Sequence, residues 1–249
     1  MYCIVIGPAI LAAIERLRED LKVAEVRKLR QDLDCWHSNA RTIFESNKFK
    51  DLLINTYCCK CPDETDHIKC MLTGNFYPRH EVRASHIIKR STGGDTMSMY
   101  GLPPSIDNDR NGLLLLEPIE QAFDRKDICF VYNTFTTQLT AKVLKTSLLD
   151  EKLAKYEGRL RVEYDITYGD IDGKVLLLPD GKFPYRRALS MHAKFSFSRA
   201  LHNGWITDSA ELENYFNLSE HGMAEPLGLG LLTWQEVHSN IHNAITTDS

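Results

Sequence analysis

The chain has no excess of positive charge and no apolar run of the ~20 residues that a membrane helix needs. Its Lys and Arg total 30 and its Asp and Glu total 34, which gives a net charge of -4 at pH 7. Proteins that coat nucleic acid by bulk charge need clustered Lys and Arg, so the composition excludes that class. Any site for a polyanion must be a local basic patch, and no membrane span is predicted.

The cysteines are few and poorly arranged for an extracellular disulfide framework. There are 7 of them, an odd number, and Cys58, Cys59 and Cys61 lie almost side by side. The start, MYCIVIGPAILAAIERLRED, has no basic segment before its apolar patch and no clear cleavage site for a secretory signal. We therefore expect an intracellular protein, nuclear or cytoplasmic.

Hydrophobic residues make up 43% of the chain, which predicts a folded core rather than disorder. From residue 8 to about residue 53, apolar residues recur at intervals of three and four, the helical period. Short strand-like pieces then alternate with turns, and the remainder mixes strand-like and helical patterns. We predict an α+β protein with a helical arm at 1–56, a central domain at 57–145 and an α+β extension at 146–249 that packs on the core.

Within the central domain, the pattern predicts a strand at VRASHII, a long loop, a buried strand at GLLLL and a short helix at PIEQAF. Loops of this length without periodicity are often functional. ICFVYN and TQLTAKVL are predicted to pair as strands. Further on, LRVEYDI and KVLLL look like strands, and residues 185–203 look like a helix.

His86 lies near the end of the VRASHII strand in a basic neighbourhood. Residues 79–90 hold four positive charges against the single negative charge of Glu81, a local charge of +3. A histidine there can act as general base toward a water beside a phosphate, since its ordinary pKa is near 6.5. The alternative is a purely structural histidine. The four basic residues are predicted to bind nucleic acid: Arg79, Arg83, Lys89 and Arg90.

Carboxylates follow the leucine run. Glu120 and Asp124 would lie one turn apart on the same face of the predicted helix. They are candidate ligands of a hard divalent cation such as Mg²⁺, which prefers oxygen. Two alternatives stay open: acids also stabilise a helix N-terminus, and Asp124 could anchor the helix structurally.

The order CMLTG, ASHII, long loop, NGLLL and AFDR resembles the HNH endonuclease family, in the form found in many fungal proteins. The resemblance covers residues 61–132, and the later segment FPYRRALSMHAKFSFSRALHNGW is similar to the tail that often follows such domains. It implies a ββα-metal finger core with N-terminal helices before it and a mixed α/β extension after it. It also implies that DNA is the substrate.

By this resemblance, His86 is the general base, Asn111 is the residue that braces the loop, and Glu120 holds the third motif position. That position is usually a metal-binding histidine, so the sequence departs from the family there. Ser85 stands where an acid often precedes the first histidine. An oxygen-ligand site for Mg²⁺ or Mn²⁺ with Glu120, Asp109 and Asp124 is chemically sensible.

Two other groups of residues resemble functional motifs. Asp66, His67 and Ile68 also resemble the acid-histidine-isoleucine signature, but they precede CMLTG, so the order favours His86. Cys58 and Cys61 form a C-x2-C motif that Cys70 and a histidine could complete, but a second pair is absent, so no structural zinc is predicted.

The sequence thus predicts a metal-dependent endonuclease that hydrolyses DNA phosphodiester bonds with a histidine general base. The alternative is a catalytically inactive protein of the HNH fold that binds nucleic acid or a protein partner.

Overall fold

A computed structural model of the chain describes residues 43–90, 97–98, 101–133 and 136–207. These residues belong to one compact unit. Most of the predicted helical arm at 1–56 and the last part of the predicted extension therefore lie outside the described residues. No helix within the described ranges is long and apolar enough to cross a membrane.

The described part of the chain forms helices and strands in a mixed order, as predicted for an α+β protein. In chain order they are α1 (Ile43–Thr56), β1 (His67–Lys69), β2 (Phe76–Pro78), β3 (Val82–His86), β4 (Gly112–Leu116), α2 (Glu117–Asp124), β5 (Ile128–Asn133), β6 (Gln138–Val143), β7 (Lys152–Glu157), β8 (Leu160–Thr167), α3 (Tyr168–Ile171) and α4 (Arg186–His202). The described strands pair as antiparallel neighbours, β1 with β2, β3 with β4, β5 with β6 and β7 with β8.

Strands β3 and β4 and helix α2 form a ββα finger, the core that the sequence predicted. The register places Val82 opposite Leu116 at one end of the pair and His86 opposite Gly112 at the other. All four leucines of β4 are fully buried, and both α1 and α2 contact the β3–β4 pair. Burying each leucine contributes roughly 1.5–3 kcal/mol, so β4 is the hydrophobic centre that fixes the finger.

Helix α2 begins directly at the end of β4. Leu116 precedes it without a side-chain cap, Pro118 occupies the first turn, and Glu117 and Glu120 supply the negative charge that favours a helix N-terminus. At the other end, Lys126 adopts a left-handed conformation with φ of 62°. This reverses the chain, so that β5 follows after a tight turn.

The remaining elements extend the same unit. Helix α4 packs on β5, and its observed range agrees with the predicted helix at 185–203. The strand predicted at KVLLL was wrong: only Val175 forms a bridge, with Thr140. The N–H groups of Leu176 and Leu177 donate to the carbonyls of Leu139 and Met71, which belong to two different neighbours. Strand β7 was not predicted.

Candidate active site

The finger places His86 at the last position of β3, where the long loop begins. Its β4 partner is Gly112, and a side chain there would collide with α1: a Cβ would lie 2.5 Å from Phe49 Cζ and 2.8 Å from the Leu53 methyl groups. Glycine therefore lets α1 pack closely against this end of the strand pair. The Phe49 ring stacks on the His86 imidazole, with centroids 3.9 Å apart and planes 12° apart. As a result, only 3% of His86 is exposed.

Asn111 closes the long loop through its side chain. Its Oδ1 accepts from the N–H of Ile88 at 2.9 Å, and its Nδ2 donates to the carbonyls of Ile88 at 3.0 Å and Ile106 at 2.9 Å. Its main-chain carbonyl accepts from the N–H of Ile87. Asn111 is fully buried, so these bonds form in a low-dielectric setting where an unmade bond is costly. Both ends of the loop are therefore held to each other directly after His86.

Asp107 binds the His86 imidazole directly. Its Oδ1 lies 2.9 Å from Nε2 of His86, and its Oδ2 lies 3.6 Å from the Arg90 guanidinium. Because a carboxylate can only accept, Nε2 of His86 carries the proton and donates it to Asp107. A neutral imidazole in this tautomer has its lone pair on Nδ1. We call His86, Asp107 and Asn111 the histidine side of the finger.

Asp107 was not identified from the sequence. It lies 21 residues after His86, inside a loop rich in Gly, Pro, Ser and Asp. No periodicity relates the two residues, and only the closure of the loop by Asn111 brings them together. The one available signal was the position of Asp107 shortly before Asn111.

The predicted ligands on α2 have other surroundings. Asp124 forms an ion pair with Lys89, and Glu120 is half-buried on the same helix. The pKa of Lys126 is lowered to about 8, chiefly by burial and then by the nearby positive charges of Lys89 and Arg199. Positive charge thus concentrates around Asp124. We call these residues, Lys89, Glu120, Asp124 and Lys126, the helix side of the finger.

Beneath this region, α4 contributes a second buried histidine. His192 stacks on Phe123 with ring centroids 3.8 Å apart, and its Nε2 lies 3.0 Å from the Phe123 carbonyl, to which it donates. Burial, followed by the charge of Lys126, holds the pKa of His192 well below its usual value. This histidine is therefore neutral, and it anchors α4 to α2.

The described residues do not fit a preformed divalent-metal centre. Asp109 accepts from the Thr56 hydroxyl at 2.9 Å and from the N–H of Arg110 at 2.9 Å, and Asp124 is paired with Lys89. Within the described ranges, no group of three or more His, Cys, Asp or Glu is placed to hold a metal ion. The lysines beside Asp124 also oppose a further cation by charge repulsion.

Ser85 replaces the acid expected before the histidine. It is fully buried, and its hydroxyl has no hydrogen-bond partner among the described residues. A buried hydroxyl without a partner costs roughly 1–3 kcal/mol. Ser85 therefore contributes neither charge nor a ligand to the site as it stands.

Cysteines of the predicted C-x2-C motif lie outside the finger. Cys61 and Cys70 are buried, whereas Cys58 is exposed. Cys70 packs at the edge of β4, where its sulfur accepts from the N–H of Leu116 at 3.3 Å.

His67, the histidine that competes with His86 for the motif position, lies on β1 with its Nδ1 2.5 Å from the Glu64 carboxylate.

Each of the predicted nucleic-acid-binding residues forms an ion pair with a carboxylate. The pairs are Arg79 with Asp51 (2.7 Å), Arg83 with Glu117 (2.8 Å), Lys89 with Asp124, and Arg90 with Asp107 (3.6 Å). The acids come from α1, the long loop and α2, so they are distant in sequence. The local charge of +3 read from the sequence is therefore largely compensated in the fold.

These observations define a ββα finger of the nuclease type, with a histidine at the end of its first strand and an asparagine before its second. Residues 70–131 match the family model described as HNH endonuclease, a range that contains β3, the long loop, β4 and α2. This segment of the chain is therefore similar to the HNH endonuclease family. Comparison with curated proteins and with solved structures gave no significant match. HNH nucleases act on nucleic acid and generally use divalent metals.

Proposed function

We propose that the protein is an endonuclease that hydrolyses DNA phosphodiester bonds with His86 as the general base. The observation that carries the proposal is the contact between Asp107 and His86, in a loop closed by Asn111. A carboxylate that accepts from one imidazole nitrogen fixes the tautomer of the ring and stabilises the positive charge that the ring gains when it acts as a base.

In the proposed reaction, Nδ1 of His86 takes a proton from a water molecule as its oxygen attacks the phosphorus. The bond between phosphorus and the 3' oxygen breaks, and the leaving oxygen takes a proton from solvent. Asp107 stabilises the imidazolium that forms, because its carboxylate already accepts the hydrogen on Nε2. Asn111 keeps the loop and Asp107 in place.

The expected cofactor is Mg²⁺ or Mn²⁺, with Glu120 as the ligand of the third motif position. Since Asp109 and Asp124 already have protein partners, no step of the proposed reaction is derived through the metal. The nicking assay therefore compares Mg²⁺, Mn²⁺ and EDTA.

A second function is supported by the helix side of the finger. The carboxylate of Asp124 is held by Lys89, Ser85 replaces an acid, and His86 is almost completely buried. These features suit an HNH-fold protein that binds nucleic acid or a protein partner without hydrolysis.

Nicking of supercoiled plasmid in Mg²⁺, in Mn²⁺ and in EDTA separates the two functions. We expect wild type to nick the plasmid with a divalent cation, and His86→Gln to reduce the rate by about 100-fold or more. Glutamine can still donate to Asp107, so it removes the base with limited structural loss. The matched control is His80→Gln, at an exposed histidine of the same region, which should keep wild-type activity.

An inactive wild type in all cations would reject the endonuclease and leave the binding protein. Equal activity of wild type and His86→Gln would reject His86 as the base.

A further inference from the structure

Strand β8 lies at the edge of a two-stranded sheet. Among the described residues it pairs only with β7, and β7 in turn contacts α2. The side chains of β8 are exposed or half-buried, and none of them is fully buried. An edge strand carries backbone N–H and C=O groups without a strand partner, and a sheet of two strands is only marginally stable by itself. β8 therefore offers an edge to which a further strand can add.

The turn between β7 and β8 determines which backbone groups of β8 face away from β7. It has two residues, and the first, Gly158, has a φ of 63°, as in a type II′ turn. Such a turn is flanked by a hydrogen-bonded pair, here Glu157 with Leu160, and the two kinds of pair alternate along the strands. Arg161 and Glu163 therefore fall in the other kind of pair, and their N–H and C=O groups point to the open edge.

The side chains of Arg161 and Glu163 lie on the same face of β8, because they are two residues apart. They form an ion pair of 3.4 Å with each other, and their side chains are 46% and 47% exposed. An exposed pair of this kind contributes little to stability. Its two members can therefore exchange partners at little cost.

A second copy of the chain complements this edge in one antiparallel register. A two-fold axis at Val162 places Arg161 opposite Glu163 of the second copy, and Glu163 opposite its Arg161. Both pairs are then hydrogen-bonded pairs, since the backbone groups of these residues point to the open edge. Charges on an edge usually prevent such an addition, but here each charge meets its opposite.

On the other face of β8, the same register brings apolar side chains together. Val162 lies opposite its own copy, and Leu160 lies opposite Tyr164 of the second copy. Because Leu160 is 65% exposed in the single chain, this pairing removes apolar surface from water. One register thus satisfies the charged face and the apolar face of the strand.

We propose that the protein forms a homodimer in which β8 pairs edge to edge with β8 of a second copy, giving a continuous four-stranded sheet. The occupant is a second copy because the segment Arg161–Glu163 is complementary in charge to itself about Val162. The dimer does not depend on the endonuclease activity proposed above.

The test is sedimentation velocity of the full-length protein, without DNA, from about 1 to about 100 µM. We expect wild type to pass from monomer to dimer as its concentration rises. Arg161→Glu and Glu163→Arg should each weaken the dimer by about 10-fold or more, because each places like charges opposite one another. The matched control is Lys182→Glu, the same change of charge at an exposed turn, which should change the dissociation constant by less than about 2-fold.

Mixing the two variants separates an interface from a loss of folding. In the mixed dimer, two acids of one chain face two arginines of the other, so an equimolar mixture of Arg161→Glu and Glu163→Arg should dimerise as wild type does. The double variant R161E/E163R should do the same by itself. Neither result can come from the ion pair within one chain, because that pair is lost in both single variants.

A wild type that stays monomeric up to about 100 µM would overturn the inference. Dimers of unchanged strength in both single variants would also overturn it, since the contact would then lie on another surface. Weakened single variants whose mixture does not recover would exclude this register of β8, and with it the proposed interface.

Discussion

On the histidine side of the finger, Asn111 makes three side-chain hydrogen bonds, and Asp107 holds one nitrogen of His86. On the helix side, the carboxylate of Asp124 is held by a lysine, and a second, buried lysine lies next to it. The first arrangement fixes the tautomer of the His86 imidazole. The second holds the Asp124 carboxylate in a structural ion pair.

The histidine side and the helix side therefore differ in how their carboxylates are used, although both belong to one ββα finger. The bonds of Asn111 are required for the loop whether or not the protein is an enzyme. Asp107 is different, because a half-exposed acid contributes little to stability by pairing with a histidine, but it fixes Nε2 of His86 as a donor. Substitution of Asp107 therefore tests the proposed catalysis, and substitution of Asn111 tests the stability of the long loop.

The largest effect is expected for Asn111→Ala. The substitution leaves the N–H and carbonyl of Ile88 and the carbonyl of Ile106 without their partners, so we expect a loss of about 3–5 kcal/mol in the free energy of unfolding. Denaturant unfolding monitored by circular dichroism measures it. Asn108→Ala, which removes an exposed cap to the N–H of Arg110, is the control and should cost about 1 kcal/mol or less. Equal losses in both variants would mean that Asn111 does not hold the loop.

A smaller effect, dependent on pH, is expected on the helix side at Lys126. Burial and the charges of Lys89 and Arg199 lower its pKa from 10.5 to about 8. Between these values the unfolded chain keeps a proton that the folded protein has released, so the free energy of unfolding rises with pH. Below about pH 8 both states are protonated, and the full cost of burying the charge remains.

Lys126→Met removes this dependence. We expect the stability gained by the substitution to fall by about 2 kcal/mol between about pH 7 and about pH 9.5, as measured by urea unfolding at several pH values. Lys60→Met, at an exposed lysine, is the control. A gain that is constant across this range would show that Lys126 keeps its ordinary pKa in the folded protein.

The smallest effect is expected from divalent cations alone. Because Asp109 and Asp124 have protein partners, Mn²⁺ or Mg²⁺ without DNA should raise the melting temperature of wild type by less than about 1 °C. Differential scanning fluorimetry over a cation titration measures this, with Ca²⁺ as the comparison. A rise of several degrees would mean that the helix side binds a metal despite its ion pairs.

Much of the finger could be predicted from the sequence because its signals are local. The strand-like pattern before His86 predicts β3, the run of four leucines predicts β4, and Pro118 marks the start of α2. The structure has these three elements at these positions. The family resemblance of the segment is confirmed by the match over residues 70–131.

The pairing of side chains could not be predicted in the same way. The basic residues near His86 were counted as a patch, but Asp51 and Glu117 reach Arg79 and Arg83 from other elements. Asp107 also reaches His86 across a loop whose sequence has no period. The segment KVLLL has a strand-like pattern, but among the described residues it forms a single bridge, Val175 with Thr140.

The most direct test of the account is the rate of plasmid nicking by Asp107→Asn, compared with wild type at saturating DNA. The account predicts a loss of about 10- to 100-fold in rate, with unchanged DNA affinity and melting temperature, because asparagine no longer fixes the tautomer of His86 or stabilises its imidazolium. Asp107→Glu, which keeps the carboxylate, should recover part of the rate. A wild-type rate in Asp107→Asn would contradict the proposal that Asp107 and His86 act together as the general base.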